Sequence, residues 1–311
     1  DADVVVEIFR PCVAKKLGID YETLSKRKPD LVYCSISGYG QEGPKSKDKA
    51  YDSAIQAASG LFTLNGHEST GPTRIGIMVV DMFTGMSAAF AVSSALNRRH
   101  VTGKGQYVDV AMYDSAMMLA ASQMAEFLVR GNIPPLIGNE SPTRQPTAGV
   151  FETSDGQVLL ATITATQNEA VFHATGLEHM LEDPRFATFE SRLENFDSGK
   201  EVIGNVIKTK STAEWLKIMN DAGVAVQAVR TLHEATVDPQ LEHRGIIVDG
   251  GKIEGIEDAL KLIGAPFIAN EDGPLQTVSP PAKIGQHTAE ILAGLGFNEE
   301  QISEILAVNS D

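Results

Sequence analysis

The chain holds little sulfur and little positive charge, and each shortage removes a class of protein. Only two cysteines, Cys12 and Cys34, occur in 311 residues. They lack C-x-x-C spacing, so neither a disulfide framework nor a structural zinc site is expected, and two free thiols fit a reducing, cytoplasmic setting. Lysine and arginine number 26 against 41 acidic residues, a net charge of −15. A sequence-independent grip on nucleic acid needs a basic surface, so no nucleic-acid partner is expected. The seven histidines include no H-E-x-x-H pair, so no metal site is expected. No apolar run is read as membrane-spanning and no secretory pattern opens the chain, so no membrane partner is expected. No internal repeat or low-complexity tract is visible.

What is present suits a globular α/β protein. The chain is 42% hydrophobic and 22% charged, ordinary values for a folded domain. Its length allows one large domain or two smaller ones. Val4 to Phe9 is an unbroken β-branched run, the pattern of a strand buried inside a parallel sheet. The chain enters that strand almost at once, as the middle of a fold would. Pro11 ends it, Tyr21 to Lys28 reads as a polar helix, and Leu31 to Ile36 is the next strand, which together predict a βαβ unit. Gln106 to Ala111 is a further strand, flanked by two long apolar helices, one from Asp81 and one over Met112 to Arg130. The proline-rich stretch Asn132 to Pro146 reads as a linker. Gly149 to Thr153 and Val158 to Thr162 flank an Asp-Gly turn and predict a β-hairpin. Helices follow at about 167–174, 196–207 and 213–222, then a strand at 223–228. These patterns divide the chain into residues 1–131, a linker over 132–148, a smaller α+β domain over 149–245, and a return to the large domain over 246–311.

Two motifs bear on chemistry. Gly38-Tyr39-Gly40-Gln41-Glu42-Gly43 spells the dinucleotide pattern G-x-G-x-x-G. A true fingerprint opens a helix on which a pyrophosphate sits, but here Pro44 and a polar loop follow. A turn that lets backbone approach a neighbour is the better reading. The second motif is Gly76 to Met86, where an apolar run ends in a lone carboxylate, Asp81, and a long apolar helix begins. Met82, Phe83, Met86, Phe90, Val92, Ala95 and Leu96 cover most of that helix, which predicts burial on several sides. Asp81 is expected at the N-cap, where free backbone N–H groups and the positive helix end hold a carboxylate ionised. From the residues alone, it is either a cap or a nucleophile.

Further segments extend the pattern: Arg10-Pro11, Cys34 to Gly40, Tyr51-Asp52, Gly103-Lys104-Gly105 to Val110, Asp183-Pro184-Arg185-Phe186, Val229 to Leu232 with Asp238 to Leu241, and Gly285 to Thr288. In their order and spacing they resemble the class III CoA-transferase, or CaiB/BaiF, family over nearly the whole chain. That resemblance implies an α/β fold with a Rossmann-like parallel-sheet large domain, whose opening βα units are missing here, plus a smaller α+β domain, interlocked with a second copy as a homodimer. The missing units would come from a longer chain or another polypeptide.

It also implies roles. Asp81 matches the nucleophile that carries the CoA between two acids, and Tyr51 a neighbour at the thioester. Ile8, Phe9 and Arg10 match a segment lining the CoA site. Lys16 and Lys49 match basic positions facing CoA phosphates. Asp52 matches a ligand-site residue, and Met112 one that packs near the ligand. Acyl-CoA and a small carboxylic acid are the implied substrates, and no resident cofactor is implied. Some family members carry a glycine run that moves over the site, and its nearest equivalent here, Thr147-Ala148-Gly149, has one glycine. The related α-methylacyl-CoA racemases share the fold but use a histidine where Tyr51 stands, and tyrosine is a poor base near neutral pH. That racemase and a truncated, non-catalytic acyl-CoA binder are the alternative readings.

Overall fold

A computed structural model describes residues 2–253, 260–273 and 279–308. The chain forms two compact units, Asp1–Ala228 and Val229–Asp311. The first begins β1 (Val4–Glu7), α1 (Val13–Leu17), α2 (Tyr21–Arg27), β2 (Val32–Ser37) and α3 (Asp52–Ala58). A two-residue ribbon, β3 (Gly66–His67) with β4 (Gly71–Pro72), precedes α4 (Val79–Thr102), β5 (Gln106–Ala111), α5 (Met112–Leu119) and α6 (Ala121–Arg130). The hairpin β6 (Gly149–Glu152) and β7 (Gln157–Leu160) leads to α7 (Ala165–Ala174), α8 (Phe189–Glu194), α9 (Phe196–Ile207), α10 (Thr212–Asp221) and β8 (Val226–Ala228).

The predicted parallel strands are present, in the order β1-β2-β5, but β1, expected inside the sheet over Val4 to Phe9, lies at the edge of this described sheet, ends at Glu7 and leaves Val6 exposed. Val4 lies opposite Val32, and Val32 opposite Gln106. The central strand explains the apolar run: residues 31 to 35 are buried, because strands of a parallel sheet are covered on both faces. Cys34, Val110 and Ala88 of α4 form one core cluster. The hairpin holds its expected Asp-Gly turn, closed by the Thr153 N–H donating to the Gly156 carbonyl at 2.9 Å. It pairs antiparallel with β8 over a separate core built around Trp215, Phe172 and Phe151. The Trp215 indole N–H donates to the Ile207 carbonyl at 2.6 Å, so this large ring is buried without an orphan donor.

The second unit contains α11 (Leu232–Thr236), α12 (Pro239–Arg244), β9 (Ile247–Asp249), β10 (Lys261–Ile263), α13 (Thr288–Gly294) and α14 (Glu299–Val308). Strands β9 and β10 pair antiparallel. Asp238 caps α12 by accepting from the Gln240 N–H, with Pro239 at the first helical position. Thr231 and Glu234 form a capping box on α11.

Three expectations for the long helices need correction. The Met112–Arg130 helix is interrupted at Ala120, which leaves the helical region at φ −97°, ψ 20° with no Gly or Pro to mark the break. By length and composition α4 is the one described helix that could cross a membrane, whereas no apolar run was expected to be that long; it packs against β2, β5 and α5. Nor is α4 buried all round. Its inward residues are the small Thr84, Ala88 and Ala95 with Val80, because small side chains let the helix lie close to the sheet. The bulky Met82, Met86 and Phe90 point outward and are 70, 55 and 76% exposed.

The Gly38 region acts as a close-approach turn. A Cβ built on Gly38 would lie 2.2 Å from the Ala50 Cβ, so the loop leading to Tyr51 rests directly on the end of β2. Gly38→Ala is therefore expected to lower unfolding free energy by about 1–3 kcal/mol through overpacking, read from the urea midpoint. An unchanged midpoint would show that this crossing is not tight.

Candidate active site

A cavity of about 650 Å³ opens at the carboxyl ends of β1 and β2, where ligands of open parallel sheets bind. Four segments wall it. The turn after β1 supplies Ile8, Phe9, Arg10 and Pro11; the end of β2 supplies Ile36, Ser37 and Gly38; the loop into α3 supplies Ser46 and Asp48 to Tyr51; and α4 with α5 supplies Asp81, Thr84, Gly85 and Met112. Thus Asp81, Tyr51, Ile8, Phe9, Arg10, Lys49 and Met112, far apart in sequence, share one cavity.

Asp81 stands in the first turn of α4 but not at its cap. The helix begins at Val79, and its N-cap is Met78, which makes no side-chain capping bond. The N–H groups of Val80 and Asp81 donate instead to one oxygen of Asp52, at 2.8 and 3.1 Å. They are therefore not free to stabilise a charge developing in the cavity. Its electrostatics also differ from the expectation. Desolvation pushes the Asp81 carboxyl above the usual aspartate range, and the negative charge of Asp52 pushes it further. The residue is exposed to solvent in the single chain, so the cavity wall removes only part of its water.

Cations lie on the rim. Arg10 and Lys49 line the cavity and are exposed. Neither makes an ion pair among the described residues. Unpaired cations beside a cleft in an acidic chain suit an anionic ligand. Tyr51 is the N-cap residue of α3, with extended backbone, and is 76% exposed.

Two expected site residues lie elsewhere. Lys16 sits in the last turn of α1, exposed and outside the cavity lining. Asp52 is buried behind the wall and is not among the lining residues. Conversely, sequence reasoning missed Ser37, Asp48 and Thr84. Ser37 is buried, and its hydroxyl has no hydrogen-bond partner among the described residues. Its position at the carboxyl end of the middle strand was the available signal.

The Thr147-Ala148-Gly149 segment is anchored rather than loose. Thr147 and Ala148 are fully buried, Thr147 bonds the Thr162 hydroxyl at 3.1 Å and the Asn168 side chain, and Lys200 donates to the Ala148 carbonyl at 2.8 Å. Because the rim cations are free, Arg10→Ala and Lys49→Ala are each expected to raise the KM for an acyl-CoA about five- to twentyfold, more at low than at high ionic strength, with the acceptor KM little changed. Steady-state kinetics at two salt concentrations check this, and equal shifts in both KM values would contradict it.

Comparison with known proteins identifies the family. Residues 1–288 match CoA-transferase family III. The chain is 31% identical over 294 residues to a succinate–glutarate CoA-transferase of Agrobacterium fabrum, covering 94% of this chain and 72% of that protein. It is 30% identical over 304 residues to an acyl-CoA transferase of Fusarium pseudograminearum, covering 98% of this chain and 66% of that one. The chain thus spans about two thirds to three quarters of the length of these relatives. A crystal structure of a CaiB/BaiF family protein from Brucella suis superposes with a TM-score of 0.82 at 31% identity, over 94% of this chain and 75% of that one. With a family match across most of its length and a close structural relative, the chain belongs to the enzymes of CoA-transferase family III.

Proposed function

We propose that this chain carries the nucleophile for moving CoA from an acyl-CoA thioester to a small carboxylic acid, and that the nucleophile is Asp81. The observation that carries the reading is the shared cavity: one carboxylate on a helix start, walled by Tyr51 and rimmed by the free cations Arg10 and Lys49. The Asp81 carboxylate attacks the thioester carbonyl, the C–S bond breaks, and a mixed anhydride forms with release of CoA thiolate. The thiolate then attacks the aspartyl carbonyl, expelling the donor carboxylate and leaving an aspartyl-CoA thioester. The acceptor carboxylate repeats the first step on that thioester, and the thiolate returns to the acceptor carbonyl. Acceptor-CoA leaves and the Asp81 carboxylate is restored. Every step exchanges one carboxylate or thiolate for another, so no proton need move and no resident cofactor is invoked.

Each acyl intermediate is open to hydrolysis, so water must be kept from it. The exposed stripe of Met82, Met86 and Phe90 beside Asp81 supports a second copy of the chain as the cover, in a homodimer. Burying such a stripe stabilises by roughly 25 cal/mol for each Å² removed from water. A racemase would need two bases on opposite sides of the substrate α-carbon. Tyr51, where racemases hold a histidine, does not favour it.

Two results test the reading. Asp81→Asn is expected to lower CoA exchange between a succinyl-type donor and a dicarboxylic acid by at least about 10³-fold, while CoA still binds. Deuterium uptake at the α-carbon without exchange would support the racemase instead, and binding with neither would support a non-catalytic binder. The pH profile provides the second. A carboxyl raised above the ordinary aspartate range loses its nucleophilic, charged form on acidification sooner than a free aspartate does. The acid limb of kcat/KM is therefore expected above that range, and a limb at or below it would contradict the assignment.

A further inference from the structure

Asp52 follows Tyr51 directly but takes no part in lining the cavity. It is 7% exposed, and both its oxygens are engaged inside the protein. One accepts from the Gln56 side-chain amide at 2.6 Å. The other accepts from the backbone N–H of Val80 at 2.8 Å and of Asp81 at 3.1 Å. Gln56 is fully buried, and its carbonyl oxygen accepts from the Ile75 N–H at 3.0 Å. One side of α3 therefore grips the incoming chain at Ile75 and again at residues 80–81.

That grip replaces a missing part. A helix start leaves its first N–H groups without partners inside the helix, and the N-cap side chain normally takes one. The N-cap here is Met78, whose thioether is only a weak acceptor and makes no capping bond. The first turn of α4 therefore takes its cap from another helix. This turn carries Asp81, and a displacement of about 1 Å at a reacting group can cost on the order of 10²-fold in rate.

We infer that Asp52, seated by Gln56, is a positioning residue for the reaction: its carboxylate clamps the first turn of α4 and sets where Asp81 meets the acyl carbon. The inference rests on Asp81 being the nucleophile. It assigns Asp52 an effect on catalysis rather than on ligand binding. It also gives its charge a consequence. A second negative charge behind Asp81 makes the free Asp81 carboxylate costlier, and that cost is relieved when Asp81 becomes a neutral acyl group. The other charged or titratable groups on the cavity walls are Arg10 after β1, and Asp48, Lys49 and Tyr51 before and at the start of α3. The lining residues from β2 and α5 carry no charge.

The test uses the full-length protein with Asp52→Asn, Gln56→Met and, as reference, Asp81→Asn. Asp52→Asn presents an amide where two N–H groups need an acceptor, and it removes the charge. It is expected to lower kcat about 10- to 100-fold, to leave the acyl-CoA KM within about threefold, and to keep a cooperative melt. Gln56→Met leaves the carboxylate in place but unseated, and is expected to lower kcat in the same direction by less. A readout independent of turnover is carbodiimide modification of Asp81 against pH, followed by peptide mass spectrometry. Its midpoint is expected at lower pH in Asp52→Asn than in the unmodified protein. An unchanged kcat, a loss confined to KM, or an unmoved modification midpoint would each overturn the inference. If Asp52→Asn does not fold, the kcat-against-KM split in Gln56→Met decides by the same criterion. Loss of exchange in Asp81→Asn with normal kcat in Asp52→Asn overturns only the positioning role. Exchange surviving in Asp81→Asn overturns the reading beneath it.

Discussion

The N–H groups at the start of α4 have no acceptor in their own helix, and much of the site follows from where they find one. Asp52 supplies it from α3, and Gln56 holds Asp52 while binding Ile75 upstream of the same helix. The bonds tie three sequence segments to one point. They fix the helix register relative to α3, and so relative to Tyr51 at its cap and to Lys49 just before it. The other side of α4 is fixed by packing. Val80 joins Ile55 and Ala116 in one core cluster, and Ala88 joins Cys34 and Val110 in another. Asp81 is thus mounted on a helix held by a polar clamp at its start and by small-residue packing along the sheet.

The electrostatics follow from the same clamp. An N-terminal helix turn ordinarily favours a nearby negative charge, but two of the N–H groups here already serve Asp52. Asp81 is left with partial desolvation and a like-charged neighbour, both of which push its carboxyl up. On the proposed mechanism this raised basicity makes Asp81 a stronger nucleophile toward a thioester, and the repulsion from Asp52 is relieved once Asp81 is acylated. The free cations, Arg10 and Lys49, sit at the cavity rim rather than beside the clamp. On the proposed reading, attraction for a polyanionic substrate and activation of the carboxylate are thus assigned to separate parts of one cavity in a chain of net charge −15.

Much of this was legible in the residues. The β-branched run at Val4 and the segment Leu31 to Ile36 became neighbouring parallel strands. The Asp-Gly turn became a hairpin. Gly38, after β2, became a close crossing at Ala50. What local pattern could not show came from distant partners. Val79 and Val80 read as the end of the apolar run before Asp81, yet they are already helical, and the cap comes from Asp52, 28 positions from Val80. An apolar helix reads as buried all round, because composition does not say which neighbour covers which face. Small Thr84, Ala88 and Ala95 turn to the sheet, and Met82, Met86 and Phe90 are left outside. The family resemblance makes Asp52 a ligand-site residue together with Tyr51. Adjacent residues at a helix start point in different directions, and only the folded chain shows one on the cavity and the other behind it.

On the proposed mechanism one carboxylate, that of Asp81, becomes covalently acylated during turnover. The direct measurement is to mix the full-length protein with an acyl-CoA in the absence of acceptor, quench with hydroxylamine, and locate the hydroxamate by peptide mass spectrometry. A single label is expected on the peptide containing Asp81, and it disappears when the acceptor acid is added before the quench. A label on another carboxylate, or none in protein that exchanges CoA at its normal rate, would contradict that mechanism.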